Sequence, residues 1–216
     1  MQLPDSDIQQ YNYHLPDEFI AQHPVSRRGQ SKLLLAHETP FSITDFSKLK
    51  NYIPENSLLI FNETMVIPAR LIFAKPTGAR IEIFLLLPLD SPDFQTALGA
   101  TQSSRWQVLI GNAAKWKEGT LSIDCNLPEH GPGKLVAERI SADTVLFSWS
   151  PEEIPFSEIL DHLARVPLPP YIRRDSAPED QDRYQTVYAR HKGSVAAPTA
   201  GLHFTNQQLE ELSADG

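Results

Sequence analysis

The sequence has a single cysteine, Cys125, and no apolar run long enough to cross a bilayer. One cysteine excludes a disulfide framework and a cysteine-based zinc site, and it is typical of proteins of reducing compartments. The longest apolar run, IFLLLPL at 83–89, is far shorter than a membrane span, and the polar start MQLPDSDIQQ lacks the features of a signal peptide. We therefore expect a cytoplasmic protein with no membrane role.

Motifs that mark common catalytic and nucleotide-binding sites are also missing. The sequence contains no G-x-G-x-x-G, no G-x-x-x-x-G-K-[ST], no H-E-x-x-H and no G-x-S-x-G pattern. These absences disfavour dinucleotide-binding and P-loop sites, zinc proteases of the H-E-x-x-H class and α/β-hydrolases. We expect no metal in the functional site.

Positive charge is scarce, because 19 Lys and Arg face 27 Asp and Glu, for a net charge of −8. This balance argues against indiscriminate binding to nucleic acid, which depends on clustered basic residues. The segment 165–192 differs, since it carries six basic and four acidic residues. A local contact with phosphate and an ordinary mixed-charge surface are both open interpretations of that segment.

Helix and strand patterns alternate in the first 65 residues, which is typical of α/β organisation. In order, they predict a short helix at 15–22, a buried strand at 32–37, a helix from Thr44 to Leu49 and a strand covered on both faces at 57–61.

The sequence pattern changes near position 66, and the new pattern continues to about 150. Six strand-like runs are separated by Gly, Pro, Asn and Asp, with no helical pattern among them: RLIFAK, ARIEIFLLL, RWQVLIG, GTLSIDC, KLVAERI and TVLFSW. Helical patterns return at 155–166, 180–190 and 205–213. The sequence therefore predicts an α/β domain, formed by 1–65 and 151–216, with an inserted antiparallel β-barrel domain at 66–150.

The last predicted helix ends after two turns, although Leu209 and Leu212 begin an apolar face. A short isolated helix is marginal in water and needs a partner for that face. We expect the sequence to be an amino-terminal portion of a longer protein, or a partner to cover the helix.

The stretch GSVAAPTAGLHF at 193–204 is unusual because small side chains surround Thr199 ahead of His203. A run of Ser, Ala and Gly lets the backbone approach another group closely. In one interpretation the run is a tight crossing that leads to a helix start, with a capping box between Thr205 and Gln208. In the other, it is a loop whose bare amides and Thr199 hydroxyl contact a small molecule.

Polar side chains directly follow the strand predicted at 57–61. Residues at the end of a buried strand often line a ligand-binding cleft. These polar side chains are Asn62, Glu63 and Thr64, with Arg70 a few residues later. The alternative is a turn between strands, with Arg70 in a surface salt bridge.

The stretch VPLPPYIRR at 166–174 holds the backbone extended through its prolines and presents Tyr171, Arg173 and Arg174. A stiff connector and a proline-rich ligand for another module are the alternative interpretations.

The helix predicted at 180–190 places Tyr184 and Tyr188 one turn apart on a shared face. We expect these rings to be core rather than a stacking platform for bases. Arg190 and Lys192 come at the end of this helix, where its dipole favours cations even without a ligand.

Five of these stretches, in this order, resemble the S-adenosylmethionine:tRNA ribosyltransferase-isomerase family of queuosine biosynthesis. The likeness covers nearly the whole sequence, and its most specific parts are the last three of the following: FNETMVIPARL, TGARIEI, PLPPYI, YQTVYA and GSVAAPTAGLHF. Members of this family have an α/β domain interrupted by a β-barrel. They continue past GLHF into a segment with an LHVGAGTF-type motif that is absent here, which agrees with an amino-terminal portion.

The resemblance implies an enzyme with S-adenosylmethionine as ribosyl-donating co-substrate. It would transfer and isomerise the ribosyl group onto the 7-aminomethyl-7-deazaguanine wobble base of tRNA, forming epoxyqueuosine and releasing adenine and methionine. The expected partners are the precursor tRNA and S-adenosylmethionine, and we expect a monomer.

The resemblance also implies roles for individual residues. We expect His203 to be the catalytic acid or base, with Glu63 as the second candidate; a histidine that only packs or caps a helix is the alternative for His203. The predicted substrate-binding residues are Asn62, Thr64, Arg70, Tyr171, Pro198, Thr199, Ala200 and Gly201. The predicted tRNA-binding residues are Arg173, Arg174, Arg190 and Lys192.

The sequence departs from the family pattern at three positions. The family commonly has a basic residue in place of Met65, Asp or Asn in place of Glu63, and Gly in place of Ala79. A paralogue with a changed acceptor, a tRNA-binding module without chemistry and a purely structural scaffold are therefore alternative hypotheses. A pure RNA binder would show a steep dependence on salt and no affinity for S-adenosylmethionine, whereas a scaffold would bind neither.

Overall fold

A computed structural model describes residues 8–36, 40–169 and 171–214 of the chain. Its ten strands in these ranges are β1 (Lys32–Leu35), β2 (Ser42–Asp45), β3 (Thr64–Val66), β4 (Arg70–Ala74), β5 (Arg80–Pro88), β6 (Ser103–Gly111), β7 (Thr120–Leu127), β8 (Gly131–Arg139), β9 (Thr144–Ser150) and β10 (His191–Ser194). Its α-helices there are α1 (Phe94–Leu98), α2 (Phe156–Leu163), α3 (Asp180–Arg183) and α4 (Asn206–Ala214). No helix in the described ranges has the length and hydropathy that a membrane span requires.

Strands β4 to β9 form one antiparallel sheet, in the order β4-β5-β6-β9-β8-β7. Strand β4 also approaches β7, so the sheet nearly closes into a barrel. Each strand buries alternate side chains, such as Ile81, Ile83 and Leu85 of β5, because successive residues of a strand point to opposite faces. These six strands confirm the six strand-like runs in the sequence.

Two helices cover apolar surface of this sheet. Helix α2 lies within the helix predicted at 155–166, and it buries Phe156, whose ring stacks on Trp149 with centroids 4.9 Å apart. Helix α1 was not expected, because the sequence pattern showed no helix between 66 and 150. Its five residues are too few for a periodic pattern, and it begins where Asp93 Oδ1 accepts from the Thr96 amide at 2.8 Å.

The segment ahead of β3 differs from the sequence prediction. Strand β1 forms where predicted, but Leu34 is exposed and only Leu35 is buried, since the strand pairs with β2 alone. His37, the last residue of the predicted strand, lies outside the described residues. The helix expected from Thr44 to Leu49 is a 3-10 helix at Phe46–Tyr52, because Thr44 pairs with β1 instead. The helix expected at 15–22 is a single 3-10 turn at Asp17–Phe19.

The prediction of a strand at 57–61 is wrong. These residues have no regular secondary structure, and the exposed fraction is 85% for Leu58 and 87% for Ile60. An apolar run becomes a buried strand only where neighbouring strands and helices cover it. The described residues provide no such cover at this position.

Strands β3 and β10 are parallel neighbours, with Thr64 opposite His191 and Met65 opposite Lys192. One precedes the barrel strands in the chain and the other follows them. The pairing continues beyond the strands, because the Arg190 amide donates to the Glu63 carbonyl at 2.8 Å. It therefore brings the FNET segment beside the small-residue run.

The helix predicted at 180–190 ends at Arg183, so the prediction that Tyr184 and Tyr188 share a helical face is wrong. The side chain of Gln185 turns the chain toward Val66: it accepts from the Val66 amide at 2.9 Å and donates to the Val66 carbonyl at 2.6 Å. These bonds to β3 take the place of a continued helix. Tyr184 is buried, as expected for core.

Candidate active site

A concave hollow of about 550 Å3 lies against the small-residue run. Its volume is within the range of ligand pockets, about 300 to 1,000 Å3. The residues that line this first hollow are Leu59, Ile60, Phe61, Asn62, Tyr188, Ala197, Pro198, Thr199, Ala200, Gly201 and Phe204. Five of the eight predicted substrate-binding residues are in this set.

Backbone amides of the small-residue run are free beside the first hollow. The Gly201 amide donates to the Pro198 carbonyl at 2.8 Å, and the Leu202 amide donates to the Thr199 carbonyl at 3.3 Å. Within the described residues, the amides of Ala197, Thr199 and Ala200 make no hydrogen bond. Unpaired amides next to a cavity are available to the acceptor atoms of a ligand.

Aromatic rings form the base of the first hollow. Phe61 makes edge-to-face contacts with Tyr188 and with Phe204, with centroids 4.9 and 5.2 Å apart. Phe204 in turn contacts Phe46, which is buried. This cluster offers an apolar surface with fixed rings, to which a planar heterocycle can bind.

A second hollow of about 540 Å3 shares one lining residue, Thr199, with the first. It is lined from the amino-terminal segment by Arg28, Ser31 and Lys32, and from later segments by Tyr171, Arg183, Tyr184, Thr199 and His203. Molecules in the two hollows would therefore both contact Thr199.

His203 is half-buried in the second hollow, in a 3-10 turn at Gly201–His203. Its Nδ1 lies 3.0 Å from Ser31 Oγ, and its ring packs on Phe46 with centroids 5.2 Å apart. Burial lowers the pKa of His203 below its ordinary value, and the nearby charge of Arg28 lowers it further. The imidazole is therefore neutral near pH 7 and can accept a proton.

Polar residues of the FNET segment bond mainly to one another and to the neighbouring strand. Asn62 Oδ1 accepts from the Thr64 amide at 2.9 Å and from the Thr64 hydroxyl at 2.8 Å. Glu63 lies 3.6 Å from both Arg190 Nε and His191 Nε2. Glu63 and Thr64 line neither hollow, whereas Asn62 lines the first.

The remaining predicted residues lie apart from the first hollow. Tyr171 lines the second hollow with a half-exposed ring. Each of the five predicted basic residues faces a carboxylate: Arg70 faces Glu82, Arg173 faces Asp17, Arg174 faces Asp180, Arg190 faces Glu63 and Lys192 faces Asp161.

Several residues that line the second hollow are not predicted as site residues by any motif in the sequence. Arg28 and Ser31 belong to the segment SRRGQS, whose Gly29 has a φ of +86°, a left-handed conformation that favours glycine. A Gly between Arg and Gln is the one local sign of a tight turn there.

In the described ranges, no group of three His, Cys, Asp or Glu side chains lies close enough to hold a metal ion.

Comparisons with known proteins match this chain to one family. The family model described as "Queuosine biosynthesis protein" matches residues 8–216. An S-adenosylmethionine:tRNA ribosyltransferase-isomerase of Geotalea uraniireducens is 40% identical over 218 residues, covering all of this chain and 58% of that protein. Proteins with the same name from Syntrophotalea carbinolica and Staphylococcus saprophyticus are 38% and 37% identical, each covering 97% of this chain and 57% of the relative.

This chain thus spans a little over half the length of the curated relatives that it matches, as the resemblance to an amino-terminal portion led us to expect. The family match extends over the residues of both hollows, from Ala21 to Phe204. The chain belongs to the queuosine biosynthesis protein family.

Proposed function

We propose that this protein is an S-adenosylmethionine:tRNA ribosyltransferase-isomerase, the activity named for its relatives. The observation that carries the proposal is that two hollows share the lining residue Thr199. A transfer between two large substrates needs two sites whose contents meet at one point. The proposed reaction joins the ribosyl group to the 7-aminomethyl-7-deazaguanine base of tRNA, with isomerisation to epoxyqueuosine and release of adenine and methionine.

The first hollow is the proposed site of S-adenosylmethionine. Its aromatic base suits the adenine ring, and the free amides of Ala197, Thr199 and Ala200 suit acceptor atoms of the nucleoside. The hydroxyl of Thr199 and the amide of Asn62 would bond to ribose or adenine edges. In this arrangement the ribose carbons next to the sulfonium lie toward Thr199 and the second hollow.

His203 is the proposed acid or base. A sulfonium acidifies the neighbouring ribose carbons and makes methionine a good leaving group, so the protein must supply a base and exclude water. Nδ1 of His203 is held at Ser31 Oγ, which leaves Nε2 as the ring nitrogen available to a substrate. Because Glu63 is paired with Arg190 and lines neither hollow, we favour His203 over Glu63.

The arrangement of domains is also part of the proposal. Strand β3 ends at Val66 and pairs with β10, which follows the barrel strands in the chain. We infer that the barrel is inserted into a discontinuous α/β domain formed by 1–65 and 151–216. A tRNA substrate carrying the precursor base places the reaction in the cytoplasm, and we propose a monomer.

Incubation of the full-length protein with precursor-containing tRNA and S-adenosylmethionine, followed by mass analysis of the nucleosides, tests the proposal. We expect epoxyqueuosine in the tRNA and equal amounts of adenine and methionine in solution. His203→Ala should abolish turnover and keep measurable binding of S-adenosylmethionine.

Two outcomes would count against the proposal. A wild-type protein that binds tRNA without forming the product would favour a binding module. Unchanged turnover in His203→Ala would remove this residue from catalysis while leaving the reaction in place.

A further inference from the structure

The basic residues that sequence analysis selected for anions already have anionic partners in the structure. The Arg70 and Arg174 pairs are the least exposed of these, and Arg174 donates to both carboxylate oxygens of Asp180 at 2.7 and 2.8 Å. A phosphate would have to displace a carboxylate from such a guanidinium. Recognition of an anion is therefore expected at other basic residues.

Three cations of the second hollow have no carboxylate partner among the described residues: Arg28, Lys32 and Arg183. Arg28 donates to the carbonyls of Gln185 and Asp182 at 2.8 and 2.9 Å, and Arg183 donates to the Val25 carbonyl at 2.6 Å. These carbonyls are neutral, so they position the guanidinium groups without cancelling their charge.

The charge of the second hollow has one sign. None of the described residues that line it is Asp or Glu, and two histidines, His23 and His203, lie beside the three cations. Burial lowers the pKa of Arg28, and the charge of Arg183 lowers it further, which agrees with two neighbouring positive groups. The carboxylate of Asp182, which does not line the hollow, offsets part of this effect. A hollow with this lining attracts an anion.

We propose that the second hollow binds a backbone phosphate of the RNA strand next to the acceptor nucleotide, through Arg28, Lys32 and Arg183. This inference rests on the proposed function, because it assigns the RNA substrate to the hollow that contains His203. The half-exposed ring of Tyr171 is available to stack on a base attached to that phosphate.

The methionine carboxylate of the other substrate is the competing anion. Its α-carbon also carries an ammonium group, which needs an acceptor of negative charge nearby. The second hollow offers cations and no carboxylate among its described lining residues, so it repels this ammonium. A phosphodiester has no such positive group and fits the lining better.

The test measures tRNA binding by the full-length protein at several salt concentrations, for wild type and Lys32→Gln/Arg183→Gln. Lys134→Gln is the matched control, because Lys134 is a half-exposed cation of the barrel, 3.6 Å from Asp124 and away from both hollows. Arg28 is left unchanged because its two carbonyl bonds hold neighbouring segments together. Thermal unfolding verifies that each variant is folded, and titration with S-adenosylmethionine is the second readout.

Each lost phosphate contact lowers the slope of log K against log salt by about 0.7 to 0.9. Lys32 and Arg183 are proposed to hold the same phosphate, so we expect the double variant to lose slope for one contact. We expect the control to match wild type, and affinity for S-adenosylmethionine to be unchanged in all three. A slope equal to that of the control would overturn the proposal. Reduced affinity for S-adenosylmethionine with an unchanged slope would overturn it in favour of the carboxylate.

The proposed reaction can fail separately from this inference. If wild type forms no modified nucleoside but the double variant still loses slope, the phosphate site stands and the reaction does not. If wild type forms the product and the slope does not respond, the reaction stands and the phosphate site does not. Absence of tRNA binding by wild type would contradict both.

Discussion

The hydroxyl of Tyr188 occupies the space where a side chain on Gly201 would begin. A Cβ built on Gly201 would lie 2.1 Å from Tyr188 Oη and 2.9 Å from Thr186 Cγ2, both closer than real Cβ contacts. The interpretation of the small-residue run as a tight crossing therefore holds at Gly201, and contact of the rest of the run with a small molecule stays a prediction. Gly201 lets Tyr188 pack closely, whereas the amides of Ala197, Thr199 and Ala200 are free beside the first hollow.

Gly201→Ala should destabilise the protein and disturb the first hollow. Overpacking of this kind costs about 1 to 3 kcal/mol of the free energy of unfolding. Gly193→Ala is the matched control, because its Cβ would meet Phe94 Cβ at 3.7 Å, an ordinary contact. Chemical denaturation measures the free energy of unfolding of both alanine variants. Adding Tyr188→Phe to Gly201→Ala should restore part of the lost free energy of unfolding. Equal stability of the two alanine variants would contradict the proposed packing.

Arg174 is expected to stabilise the fold rather than to hold RNA. The exposed fraction of its side chain is 17%, that of its partner Asp180 is 4%, and Arg174 Nε also donates to the Gln22 carbonyl at 2.8 Å. Removing one member of a buried pair leaves the other charge without compensation, at a cost of about 3 to 5 kcal/mol.

Arg174→Gln should therefore lose several kcal/mol in urea denaturation. Arg173→Gln is its control, because Arg173 pairs with Asp17 on the surface, with an exposed fraction of 69%, and such pairs contribute about 0 to 1 kcal/mol. A stable Arg174→Gln variant with weakened tRNA binding would return Arg174 to the RNA-binding residues.

The pKa of His203 has a consequence for stability at acid pH. Its pKa is lower in the folded protein than in the unfolded chain, mainly through burial. As pH falls below about 6.5, the unfolded chain binds the proton first, so the free energy of unfolding decreases.

His203→Gln should reduce this acid sensitivity between pH 7.5 and pH 5. The measurement is the difference in the free energy of unfolding between the two pH values, for wild type and variant. A variant as sensitive to acid as wild type would mean that His203 is exposed enough to titrate normally.

Local sequence patterns predicted the structure correctly where neighbouring residues determine it. The capping box between Thr205 and Gln208 is confirmed: the Thr205 amide donates to Gln208 Oε1 at 3.0 Å, and the Gln208 amide donates to Thr205 Oγ1 at 3.2 Å. The six barrel strands are confirmed for the same reason, since alternation and turn residues define each run.

Distant partners determine the features that the sequence could not predict. Gln185, whose side chain bonds to the Val66 backbone 119 positions away, ends the predicted helix early. The pairing of Ser31 with His203 spans 172 positions, and no local pattern in the sequence indicates it. The FNET segment reaches the small-residue run, and so the first hollow, through the pairing of β3 with β10.

The binding of S-adenosylmethionine to hollow-filling variants of the full-length protein tests the central claim most directly. Ala200 lines the first hollow, and Ala196 is an exposed alanine of the same run that lines neither hollow. Isothermal titration should show at least about a tenfold loss of affinity in Ala200→Phe, or about 1.4 kcal/mol, and no change in Ala196→Phe. Equal affinity of both variants would contradict the placement of S-adenosylmethionine beside Thr199.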